Sequence, residues 1–259
     1  MVRVLGHNPG KFTLQGTNTY LIDVGESLVL LDTGERDRPE YVRDLAAALD
    51  DTRKPVRLVV LSHWHRDHTG GLSDVLRLTG DVRVVKVPSP EHDAEMALEY
   101  IGDGATLEGL QVIHTPGHTD DSLCLWLESE RLLFTGDTIL GHGTPVFEAL
   151  APYMASLERL RDTLAGEYTI LPAHGAPISD GPAKVREYIA HRLERERQVF
   201  ESLTHGAATA EGIVERVYGD TIPRSLVPAA AHSVSLHLDK LELEGRVSRC
   251  DQQWTVIQE

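Results

Sequence analysis

The chain is short of cysteine, of basic charge and of long apolar runs. Only Cys124 and Cys250 occur among its 259 residues. One falls in a core-strand pattern and the other in a C-terminal hairpin pattern, so a disulfide is not expected and a reducing compartment is the default. No apolar run approaches the ~18 residues that a bilayer crossing needs. Met1-Val2-Arg3-Val4-Leu5 enters a strand-like pattern directly, with no apolar leader or arginine-rich transit segment before it. A cytoplasmic location is the expectation, with an organellar form also compatible. Lys and Arg number 25 against 40 Asp and Glu, a net charge of -15. Nucleic-acid binders usually carry a basic footprint, so stable DNA binding is not expected and phosphate polymers are disfavoured. Bound cations would reverse that sign locally. What remains is a globular chain of ordinary composition, 41% hydrophobic and 25% charged, long enough for one large α/β domain and a small appendage.

The most informative stretch is Ser62-His63-Trp64-His65-Arg66-Asp67-His68. It follows Val56 to Leu61, a β-branched and leucine run without helical period, bounded by Pro55, which predicts a buried strand. Gly70 and Gly71 follow, then a short helical pattern from Leu72 to Leu78. The motif is therefore expected on a tight loop at the C-terminal end of a strand, where α/β sheets place their chemistry. His63, His65, Asp67 and His68 are four metal-competent side chains within six residues. Neutral imidazoles beside one carboxylate gain little from each other without a cation; with one, each supplies a ligand at ~2.0–2.2 Å.

Residues 1–180 repeat the unit of strand followed by polar loop. Leu14–Ile22 reads as a turn leading into a strand, and further strands are predicted over Ser27–Leu31, Val82–Val87, Leu110–His114, Ser122–Leu127, Arg131–Phe134 and Tyr168–Leu171. Helices are predicted over Glu40–Leu49, more weakly over Pro90–Leu98, and over Tyr153–Leu164. Three of the loops carry His118, Asp137 and His174 beside Gly or Pro. Taken with the first motif, five histidines and two aspartates make two complete metal sites, because strand ends converge at one edge of a sheet. Residues 181–259 differ: a charged helix over Pro182–Ser202, a helix start at Thr209, a second helix over Leu226–Glu244, and two strands at Arg246–Arg249 and Trp254–Ile257. Helix, helix, hairpin outlines a winged helix. From residue 205 onward it holds 8 acidic and 5 basic residues, so it is expected to pack on the main domain rather than read DNA, whose recognition helices are basic.

The series His63-x-His65-x-Asp67-His68, His118, Asp137, His174 resembles the metallo-β-lactamase superfamily. Asn8-Pro9-Gly10, Thr13 to Tyr20 and Thr115-Pro116-Gly117-His118-Thr119-Asp120-Asp121 narrow the resemblance to the β-lactamase-like protein 2 group. That group includes a single-stranded-RNA endoribonuclease and fungal thioesterases that release polyketides from a carrier protein. The resemblance implies a four-layer αβ/βα sandwich with a C-terminal winged-helix-like unit. It implies that His63, His65 and His118 hold one metal, that Asp67, His68 and His174 hold a second, and that Asp137 bridges them. Two zinc ions are the expected cofactors, manganese or iron also being compatible: at the position of His65 the diiron oxidases of this fold carry a carboxylate. The main secreted β-lactamases differ at the position of His68 and have a signal peptide, which argues against antibiotic hydrolysis. The expected reaction is hydrolysis by water activated between cations ~3.5–4 Å apart, with Asp67 orienting the nucleophile. Asp32 is a candidate partner for a ligand imidazole, and Asn18 a candidate to face the site from its strand. His114 and His142 are expected at the rim, and Trp64 in packing. Single-stranded RNA is placed ahead of an acyl thioester as substrate. The oligomeric state is left open.

Overall fold

The structure is a computed structural model; it describes residues 1–93 and 97–257, with the side chain of Asp220 left aside. Six strands form the first sheet in sequential order: β1 (Val2–Leu5), β2 (Asn18–Asp23), β3 (Leu28–Leu31), β4 (Val56–Val60), β5 (Arg83–Lys86) and β6 (Glu99–Tyr100). The second sheet has the order β11-β10-β9-β8-β7, from β7 (Thr106–Leu107), β8 (Leu110–His114), β9 (Leu123–Leu127), β10 (Leu132–Gly136) and β11 (Thr169–Pro172). The helices are α1 (Pro39–Thr52), the single turn α2 (Arg66–Thr69), α3 (Leu72–Thr79), α4 (Leu150–Thr163), α5 (Gly181–Leu203), α6 (Ala210–Tyr218) and α7 (Val227–Leu243). A hairpin of β12 (Val247–Cys250) and β13 (Gln253–Val256) ends the fold. Among the described residues no helix is long and apolar enough to cross a membrane. Both cysteines are free.

The period-2 alternation of strands sorts the core into layers. Along β3, Val29 and Leu31 face the second sheet, where they meet Leu123, Leu125, Phe134 and Leu171. Leu28 and Leu30 face the other way, onto Tyr41 and Leu45 of α1 and Val75 of α3. The second sheet does the same. Its outer face, with Ile113, Cys124, Trp126, Leu133 and Ile170, packs on Tyr153, Leu157 and Leu160 of α4 and Val185, Tyr188 and Ile189 of α5. The result is the αβ/βα four-layer sandwich. The local signals are physical: Pro39 occupies a first-turn position in α1, and the side chains of Asp180 and Thr209 cap α5 and α6 by accepting from Ala183 N and Gly212 N. A separate apolar cluster joins Val199 and Leu203 of α5 to Ile213, Val214, Val234, Leu238, Leu241, Val247 and Trp254. With α6, α7 and the hairpin it forms the winged helix.

Topology sets where the loops go. β3, β4 and β5 run parallel, as do β10 and β11. β8 pairs antiparallel with β9 and β9 with β10, so β8 points the same way as β10. The chain therefore leaves β3, β4, β8, β10 and β11 at a common edge. That edge is stitched across the sheets by Leu123 N to Ser62 O (3.0 Å) and Asn18 N to Ala173 O (2.6 Å).

Two local expectations are corrected. The motif after β4 is not all loop: Arg66 to Thr69 close one helical turn, with His68 N and Thr69 N both donating to His65 O at 3.0 Å. Thr33 N and Oγ1 both donate to His68 O at 2.8 Å, which ties the turn to the β3 exit. The weak helix over 90–98 is also absent from the described residues of that stretch; 94–96 lie outside them. Pro90 to His92 form a turn, tied back by Asp93, which accepts from Ser89 N at 2.7 Å. Asp93 in turn pairs with the fully buried Lys86 at 2.8 Å. A buried ion pair fixed to one strand end outweighs the weak helical propensity of the segment.

Candidate metal centre

All seven side chains singled out in the sequence meet at the common edge. Their donor atoms fall in two groups, His63, His65, His118 and Asp137, and Asp67, His68 and His174, each within 4.8 Å. In the first group three ring nitrogens crowd together: His63 Nε2 is 2.9 Å from His65 Nδ1, and His118 Nε2 is 3.2 Å and 3.1 Å from those two.

The surrounding hydrogen bonds decide which nitrogens carry protons. His118 Nδ1 faces the carbonyl of Val146 at 2.8 Å. A carbonyl only accepts, so Nδ1 is protonated and Nε2 presents a lone pair. Ser62 Oγ donates to Asp32 Oδ2 at 2.9 Å. Its oxygen then accepts from His63 Nδ1 at 3.0 Å, which again leaves Nε2 bare. His68 Nδ1 donates to Asp32 Oδ2 at 2.8 Å, and the fully buried His68 Nε2 has no hydrogen-bond partner. Lone pairs aimed at each other repel unless a cation lies among them. Tetrahedral ligands at 2.0–2.1 Å from one ion stand about 3.3 Å apart, close to the spacing found. The donor set fits a divalent metal.

The second group has the same character with carboxylates added. Asp67 Oδ2 lies 3.2 Å from His68 Nε2 and 3.3 Å from His174 Nε2. Asp137 turns Oδ1 toward His174 Nε2 (3.2 Å) and Oδ2 toward His118 Nε2 (3.6 Å), one oxygen for each group. Burial resists ionisation of Asp67 and Asp137, but the nearby His68 and His174 hold both acids below the usual carboxylate range, Asp137 at about 2. Burial likewise opposes a charge on His174, yet Asp137 and Asp67 raise it to about 9. His65 goes the other way, pushed down to about 4 by burial and by His118. Burial and neighbouring imidazoles thus disfavour a charge on His63 and His65, while Asp137 and Asp67 favour one on His174.

Asp32 sits at the exit of β3 with φ 61, left-handed for a residue with a side chain. Aspartate tolerates this region better than most residues. The turn swings its carboxylate under the site, where it accepts from Ser62 N, Ser62 Oγ and His68 Nδ1. Asn18 has no hydrogen bond to the seven side chains; its amide donates to Pro172 O (3.0 Å) and Gly175 O (2.9 Å), holding the loop that carries His174. Thr17 is the residue that reaches the site from β2's entry, donating to Asp67 Oδ2 at 3.0 Å. Asn8 braces Thr17 through its N and Oγ1. His114 Nε2 lies 2.8 Å from Asp120 O, away from the cluster, and Trp64 stacks on His92 at 3.9 Å. Ser62 and the Val146 carbonyl escaped the sequence reading. The first could have been suspected from a hydroxyl adjoining the motif; a backbone carbonyl leaves no signal. Gly117 is required by contact: with φ +130, a Cβ there would lie 2.3 Å from Tyr153 Cα.

The description "Metallo-beta-lactamase superfamily" matches residues 12–174. The chain belongs to the metallo-β-lactamase superfamily. Like other members it is a metal-dependent hydrolase, and "Beta-lactamase associated winged helix domain" matches residues 209–254. A relative from Caenorhabditis elegans, "Beta-lactamase-like protein 2 homolog", is 42% identical over 95% of this chain and 85% of its own length. An "Atrochrysone carboxyl ACP thioesterase" from Claviceps purpurea is 39% identical over 87% of this chain and 74% of its own. A metallo-β-lactamase family protein from Thermus thermophilus shares the fold, with a TM-score of 0.74 at 24% identity, over 99% of this chain and 98% of its own.

Proposed function

We propose that this superfamily member is a dinuclear zinc hydrolase of acyl thioesters. The observation that carries the reading is the meeting of bare imidazole nitrogens 2.9–3.2 Å apart beside a carboxylate offering one oxygen to each group. His63, His65 and His118 would hold one ion, Asp67, His68 and His174 the other, with Asp137 shared. When bound, such a pair supplies a Lewis acid and lowers the pKa of water. Asp67, steadied by the Thr17 hydroxyl, would hold an ion and orient the attacking water. Water adds to the thioester carbonyl carbon, the C–S bond breaks, and an acid and a thiol leave. An imidazole at His65, where the diiron oxidases of this fold carry a carboxylate, favours zinc over a diiron centre. Residues 1–180 carry this chemistry, and residues 181–259 buttress it.

The choice of thioester over RNA reverses the order drawn from resemblance. It is supported by the 39% identity to a carrier-protein thioesterase and by the charge of -15, which repels phosphodiesters. Purified protein should contain close to two zinc ions per chain by elemental analysis and should hydrolyse an acyl thioester in a chelator-sensitive way. Asp137→Ala should lose at least one ion and the activity with it. Full metal content and unaltered hydrolysis in that variant would remove Asp137 from the site. Cleavage of an RNA oligomer, falling steeply with salt, with no thioesterase activity, would overturn the substrate assignment.

A further inference from the structure

The segment from Thr138 to Phe147 leaves Asp137 and returns to the metal centre at Val146, the acceptor for His118 Nδ1. It has no helix or strand of its own. Three side chains from the outer helices fasten it. Tyr153 of α4 donates to Thr138 O at 2.7 Å. Tyr188 of α5 accepts from Leu140 N at 3.0 Å and donates to Gly143 O at 2.7 Å. One helical turn on, Arg192 donates from Nη2 to Pro145 O at 3.2 Å. Its guanidinium lies over the rings of Phe147 and Tyr153, 4.6 and 5.9 Å from their centroids, and those rings stack on each other.

Arg192 is only 6% exposed, and no carboxylate among the described residues pairs with it. Its Nε has no hydrogen-bond partner. Burying a charge without a counter-ion is costly, and an apolar side chain would fill the same space for packing alone. What the guanidinium adds is a grip on the carbonyl one residue before Val146.

We infer that Arg192 and Tyr188 are positioning residues for His118: through the 138–147 segment they set the Val146 carbonyl that fixes the tautomer and the ring angle of that imidazole. The inference rests on His118 being a metal donor, as proposed above. Partners that orient a ligand histidine typically contribute 10–100-fold in metal affinity. The larger effect falls on the first ion: the His118 ring is bonded to the segment through Val146 O, whereas His174 meets it only through its backbone, Gly141 N donating to His174 O at 2.8 Å.

The test uses the full-length zinc-loaded protein and measures the affinity of each ion by chelator competition. Arg192→Met keeps bulk over Phe147 but removes the charge and the donor; one ion should bind at least about tenfold more weakly, the other with a smaller loss. Arg192→Lys, which retains charge and a donor, should recover part of the loss. Tyr188→Phe deletes a single oxygen and should weaken the same ion, and it decides the matter if Arg192→Met does not fold. Arg197→Met, on the exposed face of α5, should bind both ions normally. In a His118→Ala background Arg192→Met should add nothing further. If His118→Ala itself retains both ions, the assignment of the donor fails. If His118→Ala loses an ion while folded Arg192→Met and Tyr188→Phe bind both as the parent does, the positioning role fails.

Discussion

Replacing Asp32 by asparagine is the sharpest test of how the site is wired. Both residues tolerate the left-handed φ of 61 found there, so the backbone is undisturbed. Volume is unchanged. What changes is that one acceptor oxygen becomes an NH2 donor. Asp32 Oδ1 accepts from Ser62 N at 2.8 Å, and Oδ2 accepts from Ser62 Oγ and His68 Nδ1 at 2.9 and 2.8 Å. If the NH2 faces His68, Nδ1 must become the acceptor and the proton moves to Nε2, the atom proposed above to face an ion. If it faces Ser62 N, two donors oppose each other with 1% of Asp32 exposed to water. Either way one buried donor loses its partner, at about 1–3 kcal/mol of stability. Binding at the His68 ion should fall about 10–100-fold, the usual effect of removing the group that orients a ligand imidazole. Thermal unfolding of the metal-free protein reads the first quantity, and zinc retained against graded chelator reads the second. Asp32→Asn protein that keeps both ions at parental affinity would show that the tautomer of His68 is not set by this carboxylate.

Two further outcomes follow from buried charges. Lys86, fully buried, pairs with Asp93 at 2.8 Å and with Asp121. Lys86→Met strands two carboxylates and should cost about 3–5 kcal/mol at neutral pH by denaturant unfolding, with a smaller loss at acid pH, since burial already raises the Asp121 pKa; a cost below ~1 kcal/mol would mean that water reaches the pair. His237 has no partner for either ring nitrogen, and burial, then the positive charges of Arg192, Arg195 and Lys240, push it down to about 3 from 6.5. The unfolded chain therefore binds the extra proton first, so this residue's contribution is intact above pH 6.5 and is lost progressively as pH falls toward 3. The total is on the order of 5 kcal/mol. His237→Leu should flatten the acid limb of the stability curve; an unchanged limb would show that the ring stays neutral for another reason.

The seven candidate donors were legible before any coordinates because each follows a strand with a clear apolar run and lies beside Gly, Pro or another donor. The α/β class was legible from the alternation of strand and loop, the four layers only through the family resemblance, and the starts of α5 and α6 from Pro182 and Thr209. The turn at Pro90 to His92 was not, since it depends on a buried Lys86 partner that no local pattern displays. Nor was the role of Asn18, which holds the His174 loop rather than hydrogen-bonding to a donor: residues alternate along a strand, and only the pairing across sheets tells which neighbour each one meets.

Local chemistry along the chain therefore specified the donors, their order and the strands that carry them, because strand period and loop composition are short-range properties. The pairing of those donors into two groups, the proton positions on His63, His68 and His118, and the hold of Arg192 on the Val146 segment were decided by the tertiary structure. They arise from contacts between residues tens of positions apart, and hydrogen-bond direction exists only once such residues are brought within about 3 Å.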